Sequence, residues 1–300
     1  MAQATTKAAF RPHKLTETDK DKIQRFLFGS KEKEGFLKQL VVYALLICIG
    51  FIYLYPILYM LSSSLMNLDD LLDSSINWIP STLNIANYAQ AGRSMDFWKS
   101  LGMSIIIAGV PTILNVLSCS IVGYGLARFE FPGKKAILGV IIFSFILPSL
   151  LAQGINAPIF ILIFFQFFRQ VPKVLIEAAQ IDGAGYFKSF IRISLPSAAP
   201  AILTVFLFSF VWYWNESYLT QMYVSGIMTE SGWTSLVIQL DKFASNYSQY
   251  AQTAQSGATS LNESISMAGT MLSILPVLIM YFVLQRYFVE SIDRAGITGE

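Results

Sequence analysis

The chain has 300 residues, 54% of them hydrophobic and 13% charged, with a formal net charge of +2. Together with a mean hydropathy of +0.53, this composition excludes an ordinary soluble enzyme, and the unit to count is the membrane span of about 20 apolar residues. One histidine and two cysteines leave neither a disulfide framework nor a metal-ligand spacing to draw.

Residues 1–38 are polar and mixed in charge, with no short apolar run before a small-residue cleavage site. They predict a cytoplasmic N-terminal arm and no removed leader. His13 stands alone in this arm and is assigned no role. From 39 to 300 the chain reads as one transmembrane domain. The first predicted span is 39–61 and the second 101–127. The apolar region 136–168 is too long for one crossing and is broken by Pro148, Gly154, Asn156 and Pro158. It predicts two short spans, 136–152 and 155–168, joined by a polar turn carrying Gln153 and Asn156. A fifth span starts near Ala198 and runs through Trp214, with continuation to Val224 left open, and a sixth covers about 266–288. The expected fold class is therefore all-α, a polytopic membrane helix bundle of about six transmembrane helices. Cys48 and Cys119 fall inside spans as packing residues.

Six crossings place both termini on one side, and the charge distribution marks that side as cytoplasmic. Of the 21 Lys and Arg residues, only Arg93, Lys99 and Lys242 fall on the other side, among Asp69, Asp70, Asp73, Asp96, Glu216, Glu230, Asp241 and Glu263. Merging 136–168 into one span would destroy the asymmetry.

No Asp, Glu, His, Lys or Arg lies centrally in a span, which argues against an ion-coupled transporter working alone. No GxxxxGK[ST] phosphate loop and no catalytic cluster occurs. A stand-alone secondary transporter or channel and a membrane-anchored enzyme both fit poorly, and the chain is not expected to hydrolyse ATP. No nucleic-acid partner is expected either.

The cytoplasmic stretch 169–197 is the most informative. Pro172 is placed to open a helix at its first position, with Val174, Leu175, Ala178 and Ile181 on one face. Gly183 ends that helix. Tyr186, Phe187, Phe190, Ile191 and Ile193 form a second apolar stripe, with Lys188 and Arg192 opposite. Such a helix-turn-helix must bury its apolar faces on its own bundle or on a partner.

Glu177, Ala178, Ala179, Gly183, Ile193, Leu195 and Pro196 reproduce the EAA---G---------I-LP pattern, and on it the chain resembles the binding-protein-dependent ABC importer permeases. Residues 125–134 (GLARFEFPGK), Ile79, Pro80, Ser81, Thr82 and Leu83 with Asn87 and Tyr88, and residues 285–290 are similar to carbohydrate permeases related to the maltose-system subunits. The resemblance runs from the first span onward. It departs from the family in a shorter connection between the third and fourth spans, 144–156.

The resemblance implies that the loop 169–197 forms coupling helices seated in a separate ATPase, with Glu177, Ala178, Ala179, Asp182, Gly183, Ile193, Leu195 and Pro196 as the coupling residues. It implies ATP-binding ATPase subunits, a second homologous permease, an extracytoplasmic solute-binding protein and a carbohydrate substrate as partners, all at a bacterial inner or plasma membrane among its lipids. ATP and Mg would belong to the ATPase, with no cofactor in this chain. Amino acids, peptides or ions are the alternative cargo. Trp212, Tyr213, Trp214, Asn215 and Glu216 suit either stacking on a sugar or an interfacial aromatic belt. Asn115, Gln153 and Asn156 line a path or tie helices together. The small residues Ser266, Ala268, Gly269, Thr270 and Ser273 allow packing on a second permease or within the chain. The polar segment after Glu216 is expected to be a solvated loop, and the sequons at Asn246 and Asn262 to be incidental.

Overall fold

In a computed structural model, the structure describes residues 29–30, 33–34, 36–73, 78–150, 157–223, 234–253 and 259–297. The turn residues Gln153 and Asn156, His13, Glu230 and most of the N-terminal arm lie outside them. The chain divides into two units, residues 1–59 and 60–300. In the first, a two-residue antiparallel pair, β1 (Gly29–Ser30) and β2 (Lys33–Glu34), precedes α1 (Phe36–Ser64), which continues past the boundary. Cys48 is exposed on α1, as are Tyr43, Leu46, Ile47 and Ile52. An uncharged apolar run gives α1 no inward or outward preference of its own.

The regular elements of the second unit, among its described residues, are helices: α2 (Leu68–Leu72), α3 (Ala86–Ser94), α4 (Phe97–Arg128), α5 (Lys134–Leu150), α6 (Ala157–Gln170), α7 (Lys173–Ile181), α8 (Tyr186–Ser189), a π turn (Phe190–Ser194), α9 (Leu195–Ser197), α10 (Ala199–Asn215), α11 (Leu236–Asp241), α12 (Phe243–Thr253) and α13 (Glu263–Ile297). Three helices are long and apolar enough to cross a membrane unbroken: α1 over Gln39–Ser64, α4, and α13 over Glu263–Tyr287. Each carries an interior proline, Pro56, Pro111 and Pro276, which membrane helices accommodate through neighbouring groups. The other three predicted spans fall on α5, α6 and α10, of 17, 14 and 17 residues. Two of these reach crossing length only as bent pairs, α6 with α7 at 72° and α8–α9 with α10 at 76°. Pro172, and Pro196 with Pro200, sit at those bends and remove the N–H groups that would continue the helices.

Two interior clusters organise the unit. Cys119 and Tyr124 of α4, Phe160, Phe164 and Phe168 of α6, Phe190, Ala198, and Ala201 and Val205 of α10 form one. Met95, Ala108 of α4, Phe210 and Trp214 of α10, Leu236, Phe243, Tyr247, Ile265 and Ala268 form the other. Helices α4 and α10 run through both in opposite directions. The crossing of α4 and α6 is close because Gly123 has no side chain: a Cβ there would lie 2.6 Å from Cβ of Phe164. Among the described residues Asn115 ties helices, its Nδ2 donating to Ser209 Oγ at 2.8 Å. Cys119 is buried, as expected of a packing residue.

The structure corrects one sequence expectation here and bears on two that the sequence left open. The fifth helix does not continue to Val224; it stops at Asn215, where Glu216 turns extended (φ −80, ψ 96). The segment after Glu216 is not a solvated loop: α11 and α12 bury Leu236, Ile238, Phe243 and Tyr247, apolar positions that its Ser and Gln content masks. The small residues of α13 serve at least one contact within the chain, since a Cβ on Gly269 would meet the Phe243 ring at 2.8 Å. The stretch carrying Asn87 and Tyr88 also has a local reason. Asn87 Nδ2 donates to the carbonyls of Ser64 and Met66, both at 2.9 Å, satisfying backbone acceptors at the end of α1.

Candidate functional site

The chain between α6 and α10 is the candidate site. Helix α7 begins one residue later than predicted, with Pro172 as its N-cap (φ −59, ψ 134) rather than its first turn. Its end is fixed by Gly183, at φ +78. The Gly183 N–H donates to the Gln180 carbonyl at 3.0 Å and the Ala184 N–H to the Ala179 carbonyl at 2.9 Å. That pair of bonds is a Schellman termination, which requires the left-handed conformation at the glycine. A Cβ at Gly183 would meet nothing within 4 Å, so backbone conformation, not space, selects glycine.

At 100° per residue, Val174, Glu177, Ala178 and Ile181 share the outward face of α7. Val174 is 70% and Ile181 87% exposed, while Ile176 on the opposite face is buried. Leu175 flanks that outward face and is also exposed. Glu177, Ala178, Asp182 and Gly183 are exposed, and Ala179 is partly covered. The predicted apolar face therefore exists, but it is not buried by this chain's described residues.

The second half of the loop is not one helix. The π turn at Phe190–Ser194 shifts the register, so the predicted second stripe divides: Phe190 is buried, whereas Tyr186, Phe187 (72%) and Ile191 are exposed. Lys188 and Arg192 are exposed beside them. π turns arise from an inserted residue and recur at functional sites. Ile193 and Leu195 are partly covered and Pro196 is exposed, at the bend into α10.

What anchors the loop to the bundle is an aromatic cluster that the sequence reading did not single out. Tyr124 at the end of α4 meets Phe190 at 4.8 Å and Phe168 at 5.4 Å between ring centroids. Phe129 bridges Tyr124 at 6.2 Å and Tyr186 at 5.3 Å. Arg128 Nη2 adds a hydrogen bond to the Val171 carbonyl at 2.6 Å. These rings tie α8 and the π turn to the ends of α4 and α6. Of these rings the sequence marked Phe190 and Tyr186, within the apolar stripe, and Phe129, within 125–134, but not their convergence; the partners of Phe190 are 22 to 66 positions away.

The aromatic segment at the end of α10 does not converge on one surface. Trp214 is 5% exposed and stacks on Phe210 at 5.6 Å. Trp212 is exposed, and Tyr213 is partly covered against the cluster that holds Phe210, Tyr247 and Ile265. Asn215 Nδ2 donates to its own helix at the Val211 carbonyl, 2.8 Å. Glu216 Oε1 accepts from the Leu219 N–H at 2.8 Å, capping residues 218–223. No group of three or more His, Cys, Asp or Glu residues able to hold a metal occurs among the described residues.

Residues 85–294 match the family described as "Binding-protein-dependent transport system inner membrane component". The chain is 27% identical over 278 residues to the diacetylchitobiose uptake system permease protein NgcG of Streptomyces coelicolor, covering 85% of this chain and 87% of that one. It is 24% identical to the polygalacturonan/rhamnogalacturonan transport system permease protein YtcP of Bacillus subtilis, covering 88% and 99%. Its fold is similar to a chain in the crystal structure of a bacterial ABC transporter involved in the import of the acidic polysaccharide alginate, with a TM-score of 0.67, 21% identity, and 84% and 96% coverage.

Proposed function

Given that the chain belongs to the binding-protein-dependent transport system inner membrane components, and is thus a multi-pass inner-membrane protein, we propose that it is one permease subunit of an ATP-driven importer of a sugar or oligosaccharide. A separate ATPase docks on α7. The single observation that carries this is the uncovered face of Val174, Glu177, Ala178 and Ile181 beside a Schellman-terminated Gly183. An apolar face so exposed on a loop anchored by buried aromatics calls for a partner. Glu177 supplies a carboxylate for a basic or donor group on that partner, and the small Ala178 permits close approach. ATP and Mg belong to the ATPase; this subunit is non-catalytic and holds no cofactor.

Sugar cargo is supported by the names of the relatives, both of which import glycans or their fragments. Six crossings with cytoplasmic termini are supported by the charge asymmetry, with α5, α6 and α10 as short or bent spans. A second homologous permease and an extracytoplasmic solute-binding protein complete the assembly. Of the aromatic segment, the exposed Trp212 is the better placed to face a path or lipid, while the buried Trp214 belongs to the cluster with Phe210, Tyr247 and Ile265.

Purification of the protein at native expression, followed by identification of what accompanies it, tests the reading. An ATPase, a second permease and a solute-binding protein are expected. Uptake by the isolated chain in liposomes would overturn it.

A further inference from the structure

A second concentration of charge lies on the loop's side of the bundle, away from the outward face of α7. An open cleft of about 670 Å³ is lined by Arg128, Lys134, Lys135, Arg169 and Lys173, with Glu130 the one carboxylate in its lining. Glu130 is taken by Lys134, at 2.8 Å. Among the described residues Lys135, Arg169 and Lys173 have no ion pair. Arg128 is held by the Val171 carbonyl, and its Nε is buried with no hydrogen-bond partner.

Like charges gathered around a cleft raise the free energy of the empty site and attract a counter-anion. The first turn of α5, at Lys134 and Lys135, adds the positive end of a 17-residue helix. The cleft also has an apolar wall, Leu138 and Phe165. Ile137 and Val140, continuing along α5, are exposed. The Arg169 guanidinium lies over the Phe165 ring at 5.5 Å, its stem on apolar surface and its charge at the rim. A free inorganic anion would leave that wall uncovered. A molecule with a phosphate at one end and hydrocarbon at the other matches both parts.

We propose that this cleft binds the phosphate headgroup of an anionic phospholipid of the cytoplasmic leaflet, Arg128, Lys135, Arg169 and Lys173 holding the phosphate and Leu138 and Phe165 the start of the acyl region. The proposal rests on the orientation argued above, with the loop 169–197 facing the cytoplasm.

The test uses the assembled transporter in nanodiscs containing phosphatidylglycerol and phosphatidylcholine, with retained lipid counted by native mass spectrometry and the ATPase quantified in the same preparations. Wild type is expected to retain phosphatidylglycerol preferentially. The double variant Lys135→Gln, Arg169→Gln is expected to lower that retention on the order of thirtyfold while keeping its ATPase. Glu130→Gln removes the competing carboxylate and is expected to raise retention, which guards against a variant that merely misfolds. Unchanged retention in all three proteins overturns the proposal, as does displacement of the lipid by millimolar inorganic phosphate alone, which would mark a soluble-anion site. Loss of the ATPase from the double variant also overturns it, assigning the cations to the protein partner. Absence of the ATPase from the wild type would instead count against the coupling reading.

Discussion

Gly183 lies in the left-handed region with open space where a side chain would go, so its substitutions separate conformation from contact. Placing an ordinary residue there costs roughly 1–2 kcal/mol, and more for a β-branched one, whereas asparagine tolerates it better. Gly183→Val is expected to abolish uptake and reduce ATPase co-purification, with Gly183→Asn retaining a measurable fraction of both. Equal loss in the two would show that contact with the partner, not backbone geometry, selects glycine. Gly123 is the opposite case. A methyl there meets Phe164 at 2.6 Å, and Gly123→Ala is expected to lower stability by about 1–3 kcal/mol, read as a fall in the thermal unfolding midpoint. Asn115 illustrates a third situation, a polar group between spans used as a tie to Ser209. Asn115→Ala is expected to cost about 0.6–1.7 kcal/mol in the same assay with cargo selectivity unchanged. A changed selectivity would make it a path residue.

Among the elements, the loop from α7 to α9 depends on the rings beneath it. Tyr124 contributes packing to Phe168, Phe190 and Phe129. Tyr124→Phe is expected to leave uptake near wild type, while Tyr124→Ala, which opens a cavity costing about 3–5 kcal/mol, separates ATP hydrolysis from transport. Uptake that survives the alanine would remove the cluster from the coupling path. Much of this loop was legible in the sequence: a short amphipathic helix, a glycine terminator and a second apolar stripe are all local patterns. The rest was not, for physical reasons. No residue preference marks the π turn in the sequence, so the stripe could not be divided between inside and outside beforehand. Tyr124 and Phe168 join it only through contacts distant in the chain. In the same way Trp212, Tyr213, Trp214, Asn215 and Glu216 looked like one cluster because they are adjacent in sequence. A helix turns successive side chains by 100°, and that rotation sends Trp214 inward and Trp212 outward.

For the molecule as a whole, hydropathy located every long apolar segment but could not say which form one unbroken helix. Helices α1, α4 and α13 run as single unbroken helices of crossing length; α6 and α10 meet the loop at bends marked by prolines. The polar outer segment was misjudged for a related reason, since Phe243 and Tyr247 are widely spaced among Ser, Gln and Asn yet share one side of α12. The six-crossing arrangement is open to a topology assay in a background of Cys48→Ala and Cys119→Ala. Trp98→Cys, at a position 81% exposed, is expected to react with a membrane-impermeant maleimide from outside the cell, and Lys135→Cys only after the membrane is opened. Labelling of both from outside would refute the parity on which the loop's placement depends.

The central claim is that the outward face of α7 seats directly on an ATPase. Cross-linking at that face tests it most directly: Ala178→Cys in the same cysteine-free background, assembled with its partners and treated with a short bifunctional maleimide after one cysteine is placed on the ATPase surface. A covalent permease–ATPase adduct, absent when the cysteine is moved to the buried Ile176, is the expected result. Normal ATP-driven uptake with no adduct from Ala178, from Val174→Cys or from Ile181→Cys would contradict the account.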